Sequence, residues 1–243
     1  MTSPHCIAMI PARIGSTRLR MKNLALINGA PLISYAIKAA QNAGVFDRIV
    51  LNSDHPVFEK IATRYAVDFY QRPTRLGGSD IKSDDVVADF MEKNPGEIVA
   101  WVNPTSPLQT GDEIKKVIDY FIDAKLDSLI TVNDEQVHCN YAGAPVNYEL
   151  EGRFAQTQDL VPVQAFVYSI MMWRTTAFMD AYRRKGYALF CGQTGFYKVS
   201  KLSGVIIKRS EDLILADQIL RSRQANTQIA YDAVVADIEN ENG

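Results

Sequence analysis

The stretch Ile10 to Asn23, IPARIGSTRLRMKN, decides how this chain is read. It follows an apolar run, Cys6-Ile7-Ala8-Met9-Ile10, which predicts a buried strand that Pro11 ends. Gly15 and Ser16 allow a tight loop whose N–H groups face an anion, and Arg13, Arg18, Arg20 and Lys22 supply positive charge. Such a loop suggests a nucleoside triphosphate; a solvated basic loop on an ordinary α/β domain is the alternative left open. The stretch is neither a Walker A loop, which ends in Gly-Lys-Ser/Thr, nor GxGxxG.

Downstream, Pro31 to Gly44 places Leu32, Tyr35, Ala36, Ala39 and Ala40 on one side, with Pro31 in the first turn and Gly44 as the stop, predicting a helix. Asp47 to Asn52 reads as a second buried strand, Pro56 to Tyr65 as a helix and Val67 to Tyr70 as a short strand. Asp54, just after the second strand, is expected to cap the helix that follows. Further on come a helix capped by Ser83 and running to Asn94, a strand from Glu97 to Val102, a helix from Gly111 to Lys125 and a strand from Asp127 to Val132. Asp84 and Asp85 then fall in a first helical turn, favourable partners for the helix dipole rather than catalytic carboxylates. This alternation predicts an α/β fold: an open, mostly parallel sheet with helices on both faces.

The chain of 243 residues, 47% hydrophobic and 22% charged, fits a single domain over residues 1–243 with a small excursion at about 133–170. Between 133 and 165 periodicity is lost and polar and turn residues gather, as in a functional excursion; His138 there reads as a surface or pocket-lining residue. The net charge is −2 without long like-charge blocks, which argues against nucleic acid and membranes as partners. No signal-peptide pattern or long apolar span is seen, and Cys6, Cys139 and Cys191 are too few and too scattered for a disulfide framework or a CxxC metal site. A cytoplasmic protein with reduced, structural cysteines is expected. Trp173 to Arg184 and Ser210 to Arg223 complete the helices, the latter capped by Ser210, and the tail with Asp237, Glu239 and Glu241 is expected to fray.

Two more loops carry chemistry. Gln71 to Lys82, QRPTRLGGSDIK, sets Arg72, Arg75 and Lys82 around Gly77-Gly78, and Asn103-Pro104-Thr105-Ser106-Pro107-Leu108-Gln109 lies at the carboxyl end of a strand, where open α/β sheets place ligands.

Together these loops resemble the CMP-sugar synthetases, the acylneuraminate (sialic acid) and Kdo cytidylyltransferases. Gly15-Ser16-Thr17-Arg18-Leu19 is similar to the Kdo branch; Lys22-Asn23-Leu24, Asn28-Gly29 and the Asn-Pro-Thr-Ser-Pro-Leu string are similar to the acylneuraminate branch. Ser53-Asp54, Arg72-Pro73 with Leu76 and Asp80, and Gly192-Gln193-Thr194-Gly195-Phe196-Tyr197-Lys198-Val199 maintain the order, over about residues 5–225. The resemblance implies a Rossmann-like nucleotidyltransferase fold, a homodimer, and transfer of CMP from CTP to an acidic or unusual sugar with release of pyrophosphate. Arg13 and Lys22 would act on the phosphates, as the catalytic pair. Ala12, Gly15, Ser16, Arg18, Asn23, Arg72 and Ser83 would complete the nucleotide site; Asn103, Thr105, Ser106 and Gln158 would face the sugar, with Arg153 and Arg174 the nearest arginines for its carboxylate.

The resemblance also implies Mg²⁺, entering with the nucleotide. Aligned on Glu211-Asp212, however, the positions that hold two metal-binding aspartates in relatives are Ile206 and Lys208, neither an oxygen donor. Asp80 and Asp212 are the carboxylates left to consider, and Lys208 either neutralises phosphate charge in the cleft or points to solvent. Two other readings stay open: a nucleotide-binding homologue without catalysis, acting as partner or regulator, and a nucleotidyltransferase with another base or a sugar-phosphate acceptor.

Overall fold

The computed structural model describes residues 4–225 and residue 232. The elements run β1 (Cys6–Ala12), β2 (Leu26–Ile27), β3 (Ala30–Pro31), α1 (Leu32–Ala43), β4 (Arg48–Ser53), α2 (Val57–Arg64) and β5 (Asp68–Gln71). Then follow α3 (Ser83–Lys93), β6 (Ile98–Val102), α4 (Gly111–Asp123), β7 (Ser128–Glu135), β8 (Asn140–Tyr141), β9 (Ala144–Pro145), β10 (Val163–Arg174), α5 (Thr175–Lys185), β11 (Thr194–Lys198) and α6 (Ser210–Ala225). The acidic tail with Asp237, Glu239 and Glu241 lies outside the described residues.

Seven strands form one sheet in the order β11-β7-β10-β6-β1-β4-β5. All its pairings are parallel except those of β10, which runs antiparallel between β6 and β7. The apolar run at the start of the chain becomes the inner strand β1, and its alternation serves two cores. Cys6, Ala8, Ile10 and Ala12 face α1, α2 and α4 with Ile33, Ile37, Phe58, Ile114 and Phe121, whereas Ile7 and Met9 face α3 and α5 with Val87, Phe90, Phe178 and Trp173. Period-two alternation with both sets apolar is what a sheet covered on both faces requires. Burial raises the Cys6 thiol to about 12, assisted by Asp47, so it behaves as a packing group.

Helix α1 lies so close to α4 that a Cβ at Gly111 would stand 2.7 Å from the backbone of Asn42 and Ala43, and Gly44 ends α1 in the left-handed region at φ 64°. Asn28 and Gly29, both at positive φ, make the two-residue turn between β2 and β3, and the Asn28 N–H donates to Asp217 on α6 at 2.6 Å. No helix among the described residues is long and apolar enough to cross a membrane.

Several local expectations need correction. Pro11 does not end β1; it stays in register with Asn52 of β4, and its missing N–H is tolerated because pairing with β6 has already stopped at Met9. Trp173 and Arg174 belong to β10 instead of opening a helix, because the segment is held between β6 and β7. Asp54 does not cap α2: the Val57 N–H donates to His55 Nδ1 instead. Ser83 is inside α3, with Lys82 at the cap position and no side-chain cap. At α6 the cap is supplied from within, since the Lys208 and Arg209 N–H groups donate to Asp212 at 2.7 and 2.8 Å, and the Ser210 hydroxyl turns to Glu211. The excursion has structure of its own, the β8–β9 hairpin and an aromatic cluster in which His138 stacks on Phe154 at 4.1 Å with Tyr148 edge-on.

Candidate functional site

Three loops leave the carboxyl ends of β1, β5 and β6 on one side of the sheet and enclose a cavity of about 330 Å³. From the first loop come Ala12, Arg13, Ser16, Thr17, Arg18, Leu19, Lys22 and Asn23; from the second Arg72, Leu76, Gly78, Ser79 and Ile81; from the third Asn103, Pro104 and Thr105. Ser83 and Val86 at the start of α3, Trp101 of β6 and Lys208 from the segment before α6 complete the wall.

The loops are locked to one another by buried polar contacts. Asp54 Oδ1 accepts the Ile14 N–H at 3.2 Å and lies 3.8 Å from Arg72 Nη2, both side chains being almost wholly buried. Arg72 also donates to the Asn52 carbonyl at 2.8 Å and to the Leu76 carbonyl, fixing the turn of the second loop. A Cβ at Gly77 would collide with the Asp54 carboxylate, which is why glycine stands there. Arg13 donates to the Gly78 carbonyl at 3.3 Å, closing the first loop on the second. In the third loop the Asn103 amide donates to the Tyr168 carbonyl at 3.0 Å and its oxygen accepts from the Thr105 N–H and hydroxyl. Tyr168 itself is held at φ 54° in the bulge where the β10–β7 register shifts.

The electrostatics are one-sided. Five cations, Arg13, Arg18, Lys22, Arg72 and Lys208, line the cavity, and no aspartate or glutamate does among the described residues. Lys22 is pulled down to about 8, first by burial and then by the neighbouring Arg18 and Arg13, against which the Asp212 charge acts, with Lys208 adding slightly to the fall. Its ammonium has one fixed partner, the Ile207 carbonyl at 2.8 Å. Two buried polar atoms at the wall, Asn23 Oδ1 and Trp101 Nε1, have no partner in the described structure, an arrangement suited to a ligand that is itself a donor and an acceptor.

Most of the expected residues thus converge, but not all. Gly15 is on the loop without touching the cavity, Arg20, Arg75 and Lys82 are exposed away from it, and Arg72 has most of its donors engaged by the protein. The Ser106 hydroxyl is buried on the Ser203 carbonyl at 2.7 Å, and Gln158 is exposed beside Gln156 and outside the wall, so neither faces the cavity. Arg174 donates to the Leu126 carbonyl and lies over Phe121, and Arg153 is exposed, so neither is at the wall. Asp84 accepts the Ala188 and Leu189 N–H groups and Asp85 the Tyr182 hydroxyl, tying α3 to α5 and the segment after it. Of the metal candidates, neither Asp80 nor Asp212 lines the cavity, Asp212 Oδ2 accepts two backbone N–H groups, and no cluster of three potential metal-binding side chains occurs among the described residues. Mg²⁺ requires several oxygen ligands with carboxylates among them, so this cavity does not fit a protein-bound Mg²⁺. Trp101 and Val86 are wall residues that the sequence alone did not mark; for Trp101 the signal was an indole two residues before Asn103-Pro104.

A family model described as Cytidylyltransferase matches residues 7–160, more than half of the chain. Among relatives, the N-acylneuraminate cytidylyltransferase of Streptococcus agalactiae is 30% identical over 140 residues, covering 56% of this chain and 33% of the relative. The pseudaminic acid cytidylyltransferase of Campylobacter jejuni is 34% identical over 122 residues, covering 48% of this chain and 53% of the relative. The chain therefore spans about a third to a half of the length of these curated relatives. Among solved structures, CMP:2-keto-3-deoxy-manno-octonic acid synthetase complexed with CTP superposes with a TM-score of 0.70 at 14% identity, over 90% of this chain and 99% of that one. The 4-diphosphocytidyl-2C-methyl-D-erythritol synthase of Anaerococcus prevotii gives 0.66 at 14% identity, over 90% and 96% of the two chains. At these identities the two structures establish the fold.

Proposed function

Because this chain belongs to the cytidylyltransferase family, we propose that it transfers CMP from CTP to an acidic sugar of the acylneuraminate kind, releasing pyrophosphate. The observation that carries the reading is the cavity walled by five cations and no carboxylate at the carboxyl ends of the parallel strands. In such a transfer a sugar hydroxyl attacks the α-phosphorus and pyrophosphate leaves, a step that depends on alignment and on stabilising spread negative charge. Arg13 and Lys22 are assigned to the phosphates, with the Ser16 hydroxyl beside them; the N–H groups of Ile14 and Ser16, expected to face an anion, are instead taken by Asp54 and by the Ile14 carbonyl. Asn23, whose buried Oδ1 lacks a partner, and the remaining face of Arg72 are assigned to the base or ribose. Asn103 and Thr105 take the acceptor side.

CTP is expected to stabilise the protein more than ATP or UTP. At a hundred times its Kd the gain is roughly 2.7 kcal/mol, a Tm rise of about 5–10 °C for a chain of this size. No shift with any nucleotide at millimolar concentration overturns the proposal. A cytoplasmic homodimer belongs to the same proposal, supported by three unpaired cysteines and by exposed Tyr141, Leu150, Phe154 and Val161 on the excursion. Sedimentation velocity is expected to give twice the chain mass; a concentration-independent monomer counts against it.

One observation favours a second reading, a nucleotide-binding homologue without turnover: the wall offers no carboxylate to take the proton from a sugar hydroxyl. Pyrophosphate release from CTP in the presence of acidic sugars separates the two.

A further inference from the structure

The segment carrying Lys208 is fixed from three directions. The Ile207 N–H donates to the Thr105 carbonyl at 2.8 Å, the Ile207 carbonyl accepts from Lys22 Nζ at 2.8 Å, and the Lys208 N–H donates to Asp212 at 2.7 Å. Ile207 is wholly buried, packed with Leu32 and Ala216, so the backbone of this strap is anchored between the third loop and α6. The strap lies beside Lys22 and contributes Lys208 to the cavity wall, while the Asp212 carboxylate, whose charge acts on Lys22 and Lys208, is itself outside that wall with one oxygen on the backbone of the α6 N-terminus. A fixed strap that sets the exposed Lys208 at the wall of a cavity where Arg13, Arg18 and Lys22 already stand, with no carboxylate lining that wall among the described residues, is suited to a highly charged anion.

We infer that Lys208 is a triphosphate-binding residue and that this cavity binds the nucleotide's phosphates through Arg13, Arg18, Lys22 and Lys208, without a divalent cation held by the protein. The inference rests on the nucleotide reading given above and adds to it the means of charge neutralisation. The donor set carries the argument. The side-chain oxygens at the wall are the hydroxyls of Ser16, Thr17, Ser79, Ser83 and Thr105 and the amides of Asn23 and Asn103. These are neutral ligands, and a site for Mg²⁺ depends on carboxylates. Charge on the phosphates must then be met by guanidinium and ammonium groups, which form charge-assisted hydrogen bonds to phosphate oxygens directly.

Calorimetric titration of the whole chain with CTP and, separately, with inorganic tripolyphosphate tests this, each in EDTA and in millimolar Mg²⁺. Wild type is expected to bind both ligands in EDTA, with affinities within about threefold of those in Mg²⁺. Lys208→Gln is expected to weaken binding in EDTA by roughly tenfold, and Lys208→Arg to keep it, with unchanged thermal unfolding of both variants excluding a folding defect. Binding of CTP in Mg²⁺ but not in EDTA overturns the inference and leaves the nucleotide reading standing, and so does a Lys208→Gln variant that binds both ligands like wild type in EDTA. Tripolyphosphate binding without CTP binding supports the cationic cradle and overturns the proposed base. Failure of both ligands in both conditions overturns the two together.

Discussion

Asp54→Ala is expected to destabilise the protein by about 3 kcal/mol, the lower end of what removing one partner from a buried ion pair costs. Arg72 keeps only 4% of its side chain exposed, and Asp54 is the carboxylate beside it, at 3.8 Å. Removing the carboxylate leaves a guanidinium that burial has already pulled below its ordinary pKa without the charge that offsets the pull. The Asn52 and Leu76 carbonyls still accept from it, which holds the loss at the lower end of that range. For a chain of this length the expected fall in Tm is roughly 6–12 °C. The damage should also reach the cavity, because the same carboxylate accepts the Ile14 N–H and so fixes the first loop. Asp54→Asn, which retains an oxygen for that N–H, is expected to fall between. Denaturant titration placing Asp54→Ala within about 0.5 kcal/mol of wild type, the usual range of neutral surface changes, would show that the carbonyls alone satisfy Arg72.

Lys22→Ala is expected to weaken CTP binding by roughly ten- to a hundredfold with the fold intact. The change removes the ammonium at the cavity wall and also the bond that holds the Ile207 carbonyl, so Lys208 loses one of its three anchors. Calorimetry on a variant with wild-type unfolding checks this; unchanged affinity would remove Lys22 from the site. A pH dependence should accompany it. With Lys22 lowered to about 8 in the free protein, and phosphate restoring the charged form on binding, CTP binding should take up about half a proton at pH 8. Affinity should accordingly fall as pH rises through 8 and level off below 7, and Lys22→Ala should abolish that component. Without ligand the sign for stability is the opposite. Between pH 8 and 10.5 the unfolded chain binds more protons at Lys22 than the folded one, so its contribution to stability improves as pH rises through that window.

Much was written into the sequence. The continuous apolar run from Cys6 to Ile10 specified a buried strand, because a run apolar at every position is a local feature; its extension through Pro11 to Ala12 and its division between two cores came from the structure. The dense cations between Arg13 and Lys22 marked the binding loop, since charge placed directly after a buried strand is a local feature as well. What the tertiary structure alone decided was which charges meet. Asp54 looked like a helix cap because sequence shows only its neighbours; folding put Pro56 at the cap position of α2 with no side-chain cap, sent the Val57 N–H to His55, and used Asp54 to join Ile14 to Arg72. Ser106 stands in the most recognisable string of the third loop and yet is turned onto the Ser203 carbonyl, because the segment after β11 packs over it. Lys208 lies 186 residues from Lys22 along the chain, and its place at the wall depends on the strap held by Thr105, Lys22 and Asp212. Local periodicity sets each element, whereas the site is assembled by hydrogen bonds between loops that the crossovers of the sheet bring together.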